Sequence, residues 1–138
     1  MSLHLYVGAF AFMPKTKKRK SLLKICDELW SKLVKIRAGF RCEYCWRKDH
    51  LNSHHIFSRN NRATRFLLEN GICLCVGCHT MSSKFSAHKT PLEFALWIIA
   101  ERWQERYDNL KAKSKEIRDK DYDKVQTYLL DETKKLTW

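Results

Sequence analysis

Two Cys-x-x-Cys pairs constrain the fold of this chain more strongly than any other feature. The first pair is Cys42 and Cys45, the second is Cys75 and Cys78, and 29 residues separate them. Two thiolates three positions apart can bind one ion from a tight turn, and two such pairs complete the tetrahedral shell that a structural zinc prefers. The sequence therefore predicts a four-cysteine zinc knuckle, which would replace hydrophobic core in a region too small to build one.

Other arrangements of these cysteines stay open at this point. Disulfide bonds would need an oxidising compartment, and the chain shows no secretory signal, so a reduced, cytoplasmic protein is expected. A single iron held by four thiolates is a second alternative, and a site that uses His79 in place of one cysteine is a third. Cys26 and Cys73 lie outside the pairs. Both are expected to be buried apolar thiols, although Cys73 should share a strand face with Cys75.

Hydrophobic periodicity predicts a helix on the N-terminal side of the cysteines. Apolar side chains recur at roughly helical spacing over residues 21–38, and Gly39 follows where a C-capping glycine belongs. The basic run at 15–20 is expected to be an arm, and the apolar stretch at 1–12 an upstream extension with little role in the fold. That stretch is too short to span a bilayer, so no membrane partner is expected.

The rest of the chain is expected to be mainly helical as well. Residues 40–80 should hold the knuckle, two short strands and the start of a helix that continues to residue 85. A capping residue, a proline and a glutamate mark a second helix start at residue 90. We expect that helix to run to about residue 114 and a polar helix to follow over 119–135.

These elements predict an α+β, mostly helical fold. A small finger with a four-cysteine zinc knuckle would be flanked by an N-terminal helix and by C-terminal helices. Three segments are expected: a disordered or tag-like extension with its basic arm at 1–20, a central domain with flanking helices at 21–114, and a C-terminal helical segment at 115–138.

The charge balance predicts an anionic partner. The chain has 27 lysines and arginines against 15 acidic residues, a formal net charge of +12, which favours nucleic acid over a membrane surface. Arg59, Arg62 and Arg65 recur every three residues, so a helical turn would place them on one face. Together with Lys84 they are candidates for phosphate contacts. A solvated basic face without such contacts is the alternative.

Histidines between and beside the cysteine pairs are candidates for chemistry. His54 and His55 are adjacent, and adjacent residues of an extended segment point in opposite directions. One imidazole could therefore bind a metal while the other faces a substrate. His79 directly follows Cys78 and could bring a second imidazole to the same ion. Asn70 could brace the intervening loop or reach the metal itself.

In combination these residues resemble the HNH nuclease family, which has a ββα-metal finger. The resemblance rests on His54-His55, Asn70 and His79, in that order. The flanking Cys42-x-x-Cys45 and Cys75-x-x-Cys78 pairs resemble the zinc-bearing subgroup, and the similarity covers about residues 40–88. Residues 53–88 are also loosely similar to small phage-encoded HNH proteins linked to recombination or packaging.

The resemblance implies a metal-dependent endonuclease that hydrolyses phosphodiester bonds in DNA. It implies that His54 and His79 are metal ligands, that His55 is the general base, and that Asn70 orients the loop holding His55 or ligates the metal. A third ligand usually follows one helical turn after His79, where this chain has Ser83. His88 is an alternative third ligand, with a phosphate contact or a helix cap as its other roles.

Cofactors and partners follow from the same resemblance. It implies a structural Zn²⁺ and a catalytic divalent ion, with Mg²⁺ expected and Mn²⁺, Ni²⁺ or Zn²⁺ as alternatives. DNA is the expected partner, in a bacterial or phage-infected cell, with a homodimer or a larger phage or recombination assembly as further expectations. The alternative function is a non-catalytic zinc-knuckle module that binds nucleic acid, in which the histidines are structural.

Overall fold

The computed structural model describes residues 15–100, 104–116 and 121–136, so the predicted extension at 1–12 lies outside the described residues. Four helices and a two-stranded antiparallel sheet form the described part, which confirms the α+β, mostly helical prediction. The elements are α1 (Lys15–Arg37), β1 (Leu51–His55), β2 (Gly71–Cys75), α2 (Pro91–Ile98), α3 (Gln104–Lys113) and α4 (Tyr122–Leu136). Single turns at Leu68–Asn70 and Gly77–Met81 flank β2.

Helix α1 begins earlier than the sequence pattern predicts. It includes residues 15–20, which were expected to be an arm, because lysine and arginine are good helix formers and no glycine or proline lies between Pro14 and Gly39. Its end is as predicted. Gly39 has a φ of 66°, and its N–H donates to Ile36 O while the N–H of Phe40 donates to Lys35 O, both at 2.9 Å. These two bonds form a Schellman cap.

The sheet packs closely on α1. Strands β1 and β2 pair in antiparallel register, with Leu51 opposite Cys75 and His55 opposite Gly71. A Cβ atom at Gly71 would collide with a methyl group of Val34. Glycine at this position therefore allows β2 to approach the helix.

Two clusters of buried side chains lie on either side of the sheet. One joins α1, β2 and α4, and includes Cys73. The other joins β2, the zinc-knuckle cysteines and α2, and includes Cys75. Cys73 and Cys75, two positions apart in β2, therefore pack into different clusters, and only Cys75 belongs to the four-cysteine cluster. Burial raises the pKa of Cys73 to about 11.

The predicted helix from residue 90 to about 114 is described as two helices. Helix α2 ends at Ile98 and a wider π-type turn follows at 99–100. Helix α2 packs into the cluster that holds the cysteines. In α3, by contrast, the guanidinium of Arg106 donates to Glu69 O and Gly71 O, both at 2.6 Å. The two helices therefore pack against different parts of the fold.

Candidate active site

The four cysteines predicted to bind zinc come together in the structure. Their Sγ atoms all lie within 4.8 Å of one another. The Sγ atoms of Cys45 and Cys75 are 3.6 Å apart. Cys45 is exposed, whereas Cys42, Cys75 and Cys78 are buried. Four thiol donors in a compact cluster fit a tetrahedral structural zinc, as in the zinc-bearing HNH subgroup.

Local backbone geometry builds this cluster from its two turns. The N–H of Cys45 points at Cys42 Sγ and the N–H of Cys78 points at Cys75 Sγ, each at 3.5 Å. Such N–H groups stabilise negative charge on the sulfur atoms. The Glu43 carboxylate accepts the N–H of Cys73 at 2.6 Å. That bond ties the first turn to β2.

Three imidazoles form a second cluster. His54 lies on β1, His79 in the Gly77–Met81 turn and His88 in the segment that follows. One ring nitrogen of each lies within 4.8 Å of the others, and the Nε2 atoms of His79 and His88 are 3.2 Å apart. His79 belongs to this cluster, and the four thiols provide four zinc ligands without it.

The chain returns to His79 after a turn at Ser82. The expected helix over residues 79–85 ends at Met81, because Ser82 is extended and its Oγ accepts the N–H groups of residues 84 and 85. The N–H of His88 then donates to His79 O at 3.1 Å. This return brings His88 to the imidazole cluster, whereas the side chain of Ser83 is exposed.

Burial favours the neutral form of two of the clustered imidazoles, His54 and His79. It lowers the pKa of His54 to about 3, with further lowering from His79 and His88. Burial and the neighbouring His88 also lower the pKa of His79. A neutral imidazole offers a lone pair to a metal ion. The three clustered imidazoles, with His88 exposed to solvent, fit a divalent ion that keeps open positions.

His55 has different neighbours from His54, as the strand alternation predicts. Its ring stacks on the Trp30 indole of α1, with centroids 3.8 Å apart and planes 8° from parallel. His55 Nε2 lies 3.0 Å from Arg65 O, a contact in which the ring N–H donates to the carbonyl. That tautomer leaves Nδ1 with a free lone pair. Burial lowers the pKa of His55 to about 4.

Asn70 is fully buried and braces the chain just after His55. Its Oδ1 accepts the N–H of Phe57 at 2.7 Å, and its Nδ2 donates to Phe57 O at 3.0 Å. The N–H of Ile56 donates to Asn70 O at 2.9 Å. Of the two roles considered for Asn70, this geometry fits the bracing one.

The four basic residues predicted to contact phosphate differ in their surroundings. Arg65 forms a two-point ion pair with Asp27 of α1, with Nε–Oδ1 at 3.0 Å and Nη2–Oδ2 at 2.7 Å. Arg59, Arg62 and Lys84 are exposed. Phosphate contacts are therefore better proposed for these three than for Arg65.

Helix α1 contributes two residues that sequence reasoning missed at the site. Trp30 is one of the apolar residues that recur at helical spacing over residues 21–38, and no sequence pattern singles out Asp27. The periodicity of α1 showed that Trp30 is buried, but no local signal connects it with a histidine 25 positions later. Both residues contact the segment from β1 to Arg65 and so border His55.

Comparison with known proteins identifies one part of the chain. Residues 42–85 match the family model for HNH endonucleases, so the match begins at the first zinc-knuckle cysteine and ends before His88. Helices α1 to α4 all lie outside it. Searches of curated proteins and of solved structures gave no match. Among the described residues, no helix has the length and apolar character needed to cross a membrane.

Proposed function

Because the chain carries an HNH endonuclease domain at residues 42–85, we propose that it is a metal-dependent endonuclease that hydrolyses phosphodiester bonds in DNA. The observation that carries this proposal is the convergence of His54, His79 and His88 beside an oriented imidazole at His55. A protein that only binds DNA would need neither a second metal-ligating cluster nor a histidine with a fixed tautomer.

His55 is the proposed general base. Its Nε2–H is held by Arg65 O, so Nδ1 is the atom that accepts a proton from the attacking water. The water oxygen forms a bond to phosphorus, the bond from phosphorus to the leaving deoxyribose oxygen breaks, and that oxygen takes a proton from solvent. Asn70 is a positioning residue in this scheme, since it fixes the backbone at Phe57.

His54, His79 and His88 are the residues that would hold the divalent ion. When bound, the ion supplies positive charge to the scissile phosphate and the leaving oxygen. Imidazole donors without a carboxylate suit Ni²⁺ and Zn²⁺ better than Mg²⁺, which prefers oxygen ligands. We therefore propose a transition-metal ion ahead of the Mg²⁺ expected from sequence, with Mn²⁺ as an intermediate case.

Exposed cations are proposed to bind the DNA backbone. Arg59, Arg62 and Lys84 are exposed, and guanidinium and ammonium groups bind phosphate oxygens without selecting a base sequence. The high net charge of the chain would speed encounter with DNA at low salt. A homodimer, a larger phage or recombination assembly and a cytoplasmic location stay predictions from the sequence.

Cleavage of supercoiled plasmid tests the proposed function. We expect wild type to nick or linearise the plasmid when Ni²⁺, Mn²⁺, Zn²⁺ or Mg²⁺ is supplied, and EDTA to stop the reaction. His55→Ala should lower the rate about 10²–10⁴-fold, the usual contribution of a general base, with unchanged zinc content. Equal cutting by His55→Ala would refute the assignment. Binding without cutting on plasmid, single-stranded, branched and RNA substrates would favour the non-catalytic alternative.

A further inference from the structure

The loop around the first cysteine pair, residues 40–48 (the knuckle loop), holds bulky side chains on strained backbone. Phe40 has a φ of 51° and Trp46 a φ of 67°. This left-handed region is unfavourable for residues with large side chains and is normally occupied by glycine. Both residues are aromatic, so the loop carries large side chains at two positions whose backbone conformation favours glycine.

The turn itself explains why residue 46 is left-handed. The N–H of Trp46 donates to Cys42 O at 2.9 Å, and the N–H of Cys42 donates to Arg47 O at 2.8 Å. These two bonds close the chain around the first cysteine pair, and a glycine at position 46 would meet the same demand without strain. The zinc knuckle therefore does not explain the choice of tryptophan.

Burial does not explain the choice of tryptophan at position 46 either. The Trp46 side chain is 68% exposed and that of Phe40 is 52% exposed, whereas Trp30 in the core is 2% exposed. A large exposed aromatic gains little from the hydrophobic effect on folding. Backbone strain that folding does not offset is typical of residues kept for binding.

The surroundings of Trp46 are cationic. Arg41, Arg47 and Lys48 are exposed in the same loop. Of the nearby carboxylates, that of Glu43 accepts a backbone N–H and that of Asp49 lies 3.8 Å from Arg47.

A chain of ring contacts connects the knuckle loop with the proposed metal ligands. Tyr44 stacks on Phe85 with centroids 3.5 Å apart. Phe85 contacts Phe94, and Phe94 meets the His54 ring edge-on at 5.2 Å. The knuckle loop and the imidazole cluster are therefore joined through the buried side chains of Phe85 and Phe94.

We propose that the knuckle loop binds unpaired DNA, with the Trp46 indole stacked on a base and the neighbouring cations on phosphates. Exposed aromatics interleaved with cations bind single strands because every base has a face to stack on. In a duplex the bases are already stacked on one another, so the indole gains no such contact. This proposal deepens the proposed function, on which it rests, by naming the strand state of the DNA that is engaged.

Trp46→Gly tests the proposal without endangering the fold. We expect affinity for a labelled single-stranded oligodeoxythymidine, measured by fluorescence anisotropy without added divalent ion, to fall about tenfold or more. Affinity for a duplex of equal length should hardly change. The melting temperature should stay level or rise, because glycine relieves the strain at this position.

Two further variants complete the experiment. Trp46→Phe retains an aromatic face and should recover most of the lost affinity. Leu92→Ala removes another side chain that is 68% exposed, on α2, and should leave affinity unchanged. A folded Trp46→Gly protein that binds the single strand as wild type does would overturn the proposal, as would an equal loss on duplex. If wild type cuts no DNA yet Trp46→Gly loses single-strand affinity, the nuclease proposal fails and the knuckle-loop proposal stands.

Discussion

The thiol cluster and the imidazole cluster share the Gly77–Met81 turn, which carries Cys78 and His79, but differ in donor type and exposure. Three of the four cysteines are buried, and backbone N–H groups point at two of the sulfur atoms. In the imidazole cluster two rings are half-buried and His88 is exposed. A closed four-ligand site stabilises a fold, whereas a three-ligand site with open positions can take part in a reaction. The thiol cluster is therefore suited to stabilising the finger, and the imidazole cluster is suited to acting on DNA.

The largest expected effect comes from breaking the closed cluster. Cys42→Ser removes one of four zinc ligands, and zinc binding contributes roughly 10–16 kcal/mol to small zinc-dependent folds. That exceeds or equals the total stability of most small domains. We expect the variant to lose zinc and native circular dichroism, measured by metal analysis and thermal melting. A stably folded, zinc-free Cys42→Ser protein would show that the thiol cluster has no structural role.

An intermediate effect is expected from removing one of the three ligands of the imidazole cluster. His88→Ala should keep the fold and the structural zinc but raise the divalent-ion concentration needed for half-maximal cleavage. The rise should be at least the 10–100-fold typical of losing a metal site's supporting contacts. Ser83→Ala is the matched control, since the family pattern places a ligand near Ser83, whose side chain is exposed and is not an imidazole. The opposite ranking of these two variants would refute the three-imidazole site.

The smallest effects are expected at two arginines outside both clusters. Arg62→Ala should raise KM a few-fold at physiological salt and reduce the salt dependence of binding by about one phosphate contact. It should not alter thermal stability. Arg65→Ala should instead destabilise the fold by about 1 kcal/mol, because it removes the ion pair with Asp27. Melting curves and salt titrations of the two variants check this contrast, and equal behaviour would contradict it.

Short-range spacing predicted most of the finger. The cysteine pairs, the opposite directions of His54 and His55, and the glycine cap after α1 all depend on residues within a few positions. Such features follow from local geometry, and the structure agrees with each of them. Helix α1 begins earlier than predicted, because a hydrophobicity pattern does not distinguish basic residues of high helix propensity from an unstructured arm.

Non-local contacts could not be predicted in the same way. The position of His88 depends on the turn at Ser82, and adjacent serines at 82 and 83 were the local signal that a helix could end there. The stacking of Trp30 on His55 joins residues from separate elements. Helical periodicity shows which face of α1 is buried but not what that face meets.

The central claim is tested most directly by measuring plasmid cleavage at a known number of bound metal ions per chain. Wild type should be treated with a mild chelator until one zinc per chain remains, and plasmid cleavage then measured before and after a divalent ion is restored. The account predicts that the retained zinc keeps the protein folded but inactive, and that a second ion restores cutting. Full activity with a single zinc per chain would contradict the division between a structural thiol cluster and a catalytic imidazole cluster.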